Sequence, residues 1–378
     1  MRISRDGYVG LAGKLLAAAV LALINGIAPA EMTTVRVGIA NTSSDAGFYI
    51  ADRKGYFRQE GLNVLFTPFN SAAKMIAPLG AGQLDVGGGT VSAGLYNGIA
   101  RGINVKIVAD KGSIPPGYGY SAVLVRKDLV ESGKFKSFAD LKGLKVAVGA
   151  EGTGTASALN EALKKGGLKY SDVYIVTLGF PQHLLALGNR AIDASMTNEP
   201  TVSQSVSKGV AVRFATNDSF YPNQQVAVVL YGDGFIKGSP DIARKFMRAY
   251  IRAVRDYNDA LKDGKLAGAN AAEVISILTE YTHIKDPAVY QTITPNGCNP
   301  DGQVNMASLE RDFLFFKEQG LIEGKVSVAQ AVDNSFVAAT LKELGNYSRE
   351  QRLIGTAASS ADEKSAPSGK LSAILKTN

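Results

Sequence analysis

At 378 residues the chain holds material for two domains of about 100–200 residues each, and its net charge of +7 is mild for that length. With 46% hydrophobic and 20% charged residues the composition supports a sizeable buried core, which excludes disorder of the whole. A single cysteine, Cys298, excludes an intramolecular disulfide framework and a multi-cysteine zinc site, and two histidines, His183 and His283, leave little for other metal centres. No cofactor is expected. The lysines and arginines are scattered beside acidic residues rather than gathered into a basic stripe with interleaved aromatics, so nucleic acid is not an expected partner.

The first thirty residues stand apart. Arg2, Arg5 and Lys14 precede an apolar run from Leu15 to Ile27, and Ala28-Pro29-Ala30 follows with small residues, which is the order of a secretory signal peptide. The run has 13 residues where a membrane span needs about 20. No cysteine lies near the expected cut, so a soluble, unanchored product released into a periplasm is expected.

Val35–Ala40 has the short apolar look of a buried strand, followed by the polar loop Asn41–Asp45 and a helix over Phe48–Phe57 for which Asp45 is a plausible N-cap. A strand at Asn63–Pro68, a polar turn at Asn70-Ser71 and a helix that Pro78 ends or kinks come next. Leu84–Val86 then reads as a short strand running into the loop Gly87-Gly88-Gly89-Thr90, with a helix through Leu95–Ile99 and a strand at Val105–Ala109. The plan recurs with strand Lys145–Val148, loop Glu151–Thr155, helix Ala156–Lys165 and strand Tyr174–Val176. Leu79-Gly80 and Leu84-Asp85-Val86 match Leu187-Gly188 and Ile192-Asp193-Ala194 at an offset of 108, which predicts a duplicated α/β unit.

Alternating strands and helices imply mainly parallel sheets, one in each of two lobes. Two apolar strands, Ala122–Val125 and Val226–Leu230, follow loops rich in Pro, Gly, Tyr or Asn at Pro115–Tyr120 and Tyr221–Gln225, and read as crossings between the lobes. The expected division is a discontinuous first lobe of residues 31–121 and 226–345, a second lobe of 122–225, and a tail of 346–378. After the return, Ser239 caps and Pro240 opens a long amphipathic helix, followed by helices over Ala271–Tyr281, Ala307–Glu318 and Val328–Leu344. From Asn346 onward the periodicity fades, and a disordered tail is expected.

The stretches Gly47-Phe48-Tyr49-Ile50-Ala51, Lys54-Gly55-Tyr56-Phe57 and Glu60-Gly61-Leu62 resemble the opening of the solute-binding proteins of ABC importers for nitrate, sulfonates, taurine and thiamine-pyrimidine precursors. Gly82-Gln83-Leu84-Asp85, Asp140-Leu141-Lys142-Gly143, the loop Gly152–Thr155 and Asn198-Glu199-Pro200 fit the same pattern, so that the likeness runs from Val35 to Leu344. The resemblance implies a two-lobed α/β protein of the periplasmic-binding-protein fold. Such a protein closes on a small-molecule solute and hands it to a membrane permease with its ATPase; a monomer is expected.

The residues point to a site on their own account, because ligands of open α/β sheets bind beyond the carboxyl ends of the strands. That rule gathers Asn41, Ser43, Asp45, Ser71, Gly89, Thr90, Gly152, Thr153, Gly154, Thr155, Asn198 and Glu199 around one cleft, with Tyr118 and Tyr221 in the crossing loops. Exposed amides and hydroxyls at Gly152–Thr155 suit an anionic or strongly polar group, though the loop could equally be only a capping turn. Asp45 and Glu199 pull the other way, toward an amine or an N–H-bearing heterocycle, and the tyrosines could line the cleft or pack at the hinge. Asp85 and Asp193 fall at strand starts and read as structural. His183 has no partner that would make it a catalyst.

The rival reading is an enzyme on the same fold, since the thiamine-precursor branch includes makers of the pyrimidine. Here Asn41–Asp45 lacks the histidine expected of those enzymes, and there is no cysteine cluster, only Cys298 far along the chain. No catalytic residue is assigned.

Overall fold

The computed structural model describes residues 32–69 and 72–349. Residues 1–31, which include the expected leader, Asn70, Ser71 and residues 350–378, where most of the expected tail falls, lie outside the described residues. The main strands are β1 (Thr33–Ile39), β2 (Leu62–Pro68), β3 (Val86–Thr90), β4 (Val105–Ile114), β5 (Ser121–Arg126), β6 (Lys145–Val148), β7 (Tyr174–Thr177), β8 (Ala194–Asn198), β9 (Ala211–Thr216) and β10 (Gln224–Gly232). They build two five-stranded sheets, ordered β2-β1-β3-β10-β4 and β7-β6-β8-β5-β9.

The two orders are equivalent. In the first sheet β1 runs parallel to β2 and β3 while β10 lies antiparallel to β3 and β4; in the second, β6 runs parallel to β7 and β8 while β5 lies antiparallel to β8 and β9. The duplication extends to side chains. Asp85 Oδ2 accepts from the backbone N of Arg36 at 2.8 Å, and Asp193 Oδ2 accepts from the backbone N of Lys145 at 3.0 Å. Each aspartate also returns its own amide hydrogen to the carbonyl of that residue, and each meets an arginine, Arg36 or Arg126. Both clamp the starts of neighbouring parallel strands, which is the structural role expected of them.

The crossings run side by side. Asn223 N donates to Ile114 O at 2.7 Å, and Gly117 N donates to the Asp218 carboxylate at 2.8 Å. The sheet around β1 is covered by α1 (Ala46–Arg53) and the 21-residue Pro240–Ala260, whose Phe246 and Tyr250 pack against Phe57 and Phe48. Burying such aromatics supplies much of the hydrophobic stabilisation of a lobe.

Several sequence expectations are corrected in detail. Gly87–Gly89 are not a loop but the body of β3, because a Cβ at Gly88 would stand 2.6 Å from Phe48 and 2.7 Å from Lys111, and one at Gly89 would stand 2.5 Å from the Cβ of Ala72. The helix expected over Phe48–Phe57 ends at Arg53, where Gly55 takes φ +73°. The helix expected over Val328–Leu344 is broken between Ala331 and Ser335, where Val332 bridges to Ile107 of β4. Asn346–Arg349, expected in the tail, are docked: the Tyr347 hydroxyl donates to Asp259 at 2.6 Å, its backbone N donates to Asp301 at 2.8 Å, and Arg349 bonds the carbonyl of Leu261.

Candidate functional site

The carboxyl ends of the two parallel triplets face each other. Behind β3, Ala93 N donates to Gly152 O at 2.8 Å and Gly154 N donates to Val91 O at 3.3 Å, with Ser92 and Thr153 forming an antiparallel bridge. Loops of one sheet thus touch loops of the other, as the strand-end rule requires.

On the first rim, Asn41 takes φ +56° and Thr42 starts the tight turn Ser43–Asp45. Asp45 was expected as an N-cap; its side chain instead reaches back to Thr42 N at 2.9 Å, as the third residue of a capping box, and makes no cap bond to α1. Its other oxygen lies 2.8 Å from Lys111 Nζ, and both side chains are 0% exposed. Lys111 also donates to Ser44 Oγ at 2.8 Å. Asp45 is therefore matched from within and offers no charge to a ligand. Ser43 reaches Asn296 at 3.4 Å and shares a hydrogen bond with Tyr120, whose hydroxyl burial pushes up to about 12.

On the second rim, Glu199 is matched in the same way. Its Oε2 accepts from Ser203 N at 2.9 Å, holding the start of α2 (Thr201–Ser207), and its Oε1 accepts from Ser203 Oγ and Arg213 at 2.9 Å each. Thr294 N, from the first lobe, approaches the same oxygen at 3.5 Å. Neighbouring Asn198 takes the Ser121 hydroxyl at 2.6 Å and remains half-buried. Gly152 sits at φ +59°, where an L side chain is strained and a Cβ would crowd Ala93 at 3.1 Å. The Gly152–Thr155 loop is less open than the sequence suggested: the Gly154 amide is taken by Val91, and the Thr153 hydroxyl turns to Ala150 O at 2.8 Å rather than capping the helix Gly154–Lys165.

Of the predicted residues, Asn41, Ser43, Thr90, Tyr118, Thr153, Thr155 and Asn198 are half-buried at or beside the rims, whereas Gly89, Asp45, Gly152, Gly154 and Glu199 are buried supports. Ser71 lies outside the described residues. Tyr221 is the clear correction: it is 1% exposed, and its hydroxyl donates to Asp312 at 2.8 Å inside the structure instead of facing a ligand. His183 is buried with Nε2 3.0 Å from Leu178 O, and that burial holds its pKa below the usual histidine range. Sequence reasoning missed Lys111, Arg213 and Asn296. The one available signal was Asp110-Lys111 continuing an otherwise apolar strand, since a charge at a strand position buried on both faces needs a partner.

A cavity of about 430 Å³ lies beside the crossings, lined by Ser113, Pro115, Asn223, Gln225, Asn299 and Asn305 among others, and contains none of the predicted site residues. Among the described residues no group of His, Cys, Asp and Glu could hold a metal, and no helix is long and apolar enough to cross a membrane.

Two equivalent α/β lobes joined by paired crossings, with their strand ends opposed, define the two-lobed periplasmic-binding-protein fold. The chain belongs to the NMT1/THI5-like family, whose model matches residues 42–260. It is 28% identical over 280 residues to a protein of Brucella abortus (strain 2308) named as a binding protein, covering 73% of this chain and 80% of that one. The riboflavin-binding protein RibY of Chloroflexus aurantiacus is 25% identical, with 77% and 82% covered. Among solved structures, the alkanesulfonate-binding protein SsuA of Xanthomonas axonopodis pv. citri aligns at a TM-score of 0.62 and 20% identity over 81% of this chain and 99% of that one. The nitrate-binding protein NrtA of Synechocystis PCC 6803 aligns at 0.67 and 14%, over 83% and 90%.

Proposed function

We propose that this protein is the solute-capturing component of an ABC importer, exported by its leader to the periplasm, where it closes on a small polar or anionic organic solute and delivers it to a membrane permease served by an ATPase. The observation that carries the reading is the meeting of the two rims across paired crossings, the arrangement that hinge closure uses. Residues 31–121 with 226–345 form one lobe in this reading and 122–225 the other, a division supported by the strand content of the two sheets. Ligand contacts fall to Asn41, Ser43, Thr90, Tyr118, Thr153, Thr155 and Asn198. Because Asp45 and Glu199 are matched by Lys111 and Arg213, recognition rests on hydroxyls, amides and an aromatic face rather than on a facing charge.

A thermal-shift screen of nitrate, alkanesulfonates, taurine, aromatic acids, aminopyrimidines and riboflavin tests this. A true solute at a hundred times its Kd adds about 2.7 kcal/mol of stability, a rise of about 4 °C in Tm for a chain of this length. Turnover of a pyrimidine precursor with no stabilising solute would overturn the reading in favour of an enzyme.

A further inference from the structure

Away from the rims, a carboxyl group is enclosed by parts of both lobes. Asp312 stands on the helix Met306–Glu318, which packs into the first lobe through Leu309, Phe313 and Phe316 and across to the second lobe's helix Gly154–Lys165. It is 0% exposed. Its Oδ1 accepts from Ser157 Oγ on the second-lobe helix at 2.6 Å and from the Tyr221 hydroxyl at 2.8 Å. Its Oδ2 is buried without a hydrogen-bond partner. Beside it Gln224 of β10 donates to Gly154 O at 2.7 Å, a further tie from the first sheet to the second lobe.

The groups facing Asp312 are almost all neutral. Ser157 and Glu161 come from the second-lobe helix, Tyr221 and Gln224 from the returning crossing, and Tyr96, whose ring packs on Phe313, from the first lobe. Glu161 carries a like charge and is itself held by Lys164 and Arg311; Arg311 lies over the Tyr221 ring. A carboxylate enclosed this way is penalised by desolvation with no buried cation to offset it. Burial accordingly pushes the Asp312 carboxyl up to about 7.

We propose that Asp312 is a proton-sensitive latch between the lobes: protonated, it holds the two helices together; ionised, it favours a separated arrangement in which water reaches the carboxylate. The sign follows from linkage. A carboxyl that binds its proton more tightly when enclosed than when hydrated makes closure take up a proton, and closure weakens as pH rises through about 7. The latch goes beyond solute capture. It depends on lobe movement alone and not on which solute is bound.

Small-angle X-ray scattering of the purified, solute-free protein from pH 5.5 to 8.5 at constant ionic strength tests it. The radius of gyration should rise with pH, with a midpoint near 7, and Asp312→Asn should remain compact throughout. Should that variant fail to fold, Tyr221→Phe removes a donor that favours the carboxylate while keeping the Ser157 bond between the helices, and should move the expansion to higher pH. A wild-type radius that does not change with pH, or a full expansion retained by Asp312→Asn, would overturn the latch. Asp110 sits among groups of the first sheet and the elements packed on it, and His183 among second-lobe groups, so separation of the lobes changes the surroundings of neither. Because no solute is present, this result stands apart from the outcome of the screen above.

Discussion

Removing the charge of Lys111 by Lys111→Met should unfold the first rim's support. Lys111 and Asp45 are both 0% exposed and 2.8 Å apart, so the substitution leaves a carboxylate sealed in the core with the Thr42 amide and the Tyr49 hydroxyl but no cation. Breaking one partner of such a pair costs about 3–5 kcal/mol. At a urea m-value of about 3 kcal/mol/M the midpoint falls by about 1–2 M. Asp45→Asn should lose a similar amount, since it leaves the buried ammonium with neutral acceptors and no counter-charge. The double variant Asp45→Asn with Lys111→Met leaves two neutral groups of nearly unchanged shape and should recover at least half of the summed loss. Equilibrium urea unfolding followed by far-ultraviolet circular dichroism measures all three. If either single variant loses under about 1 kcal/mol, or the two losses simply add, the pair does not hold the rim as argued.

Gly88→Ala sets a Cβ 2.6 Å from the Phe48 ring and should cost about 1–3 kcal/mol, read as a lower thermal midpoint, whereas Gly61→Ala meets no atom within 4 Å and is disfavoured only by its φ of +74°. Arg213→Ala removes the cation from Glu199 and should destabilise the second lobe by about 2 kcal/mol in urea unfolding. Asp110 and Asp312 are pushed up by burial to about 6 and about 7, so each binds its proton more tightly folded than unfolded. Their stabilising contribution is present in full below the ordinary carboxylate range near 4 and is lost as pH rises through about 6 to 7. The urea midpoint should therefore fall from pH 5 to pH 8, and Asp312→Asn should flatten part of that fall.

The α/β alternation, the strand ends and the paired clamps at Asp85 and Asp193 were legible because each rests on local spacing repeated along the chain. What escaped was long-range. Asp45 and Glu199 looked available to a ligand because nothing near them in sequence announces Lys111 or Arg213 as a partner. Whether Tyr221 lines the cleft or packs at the hinge is not legible in its polar loop, because Asp312, which takes its hydroxyl, lies 91 residues away. The glycines after Val86 resembled a loop, since the close approach of Phe48, Lys111 and Ala72 that requires them is a property of packing alone.

The register between β4 and β10 makes Ile114 and Gln224 direct cross-strand neighbours. Everything from Pro115 to Asn223 is thus an excursion out of what would otherwise be a simple hairpin, and Ala122 and Thr216 are paired likewise at its base. A two-residue turn could replace the excursion without disturbing either strand's partners. The same adjacency offers a route by which one ancestral lobe could accept a copy of itself.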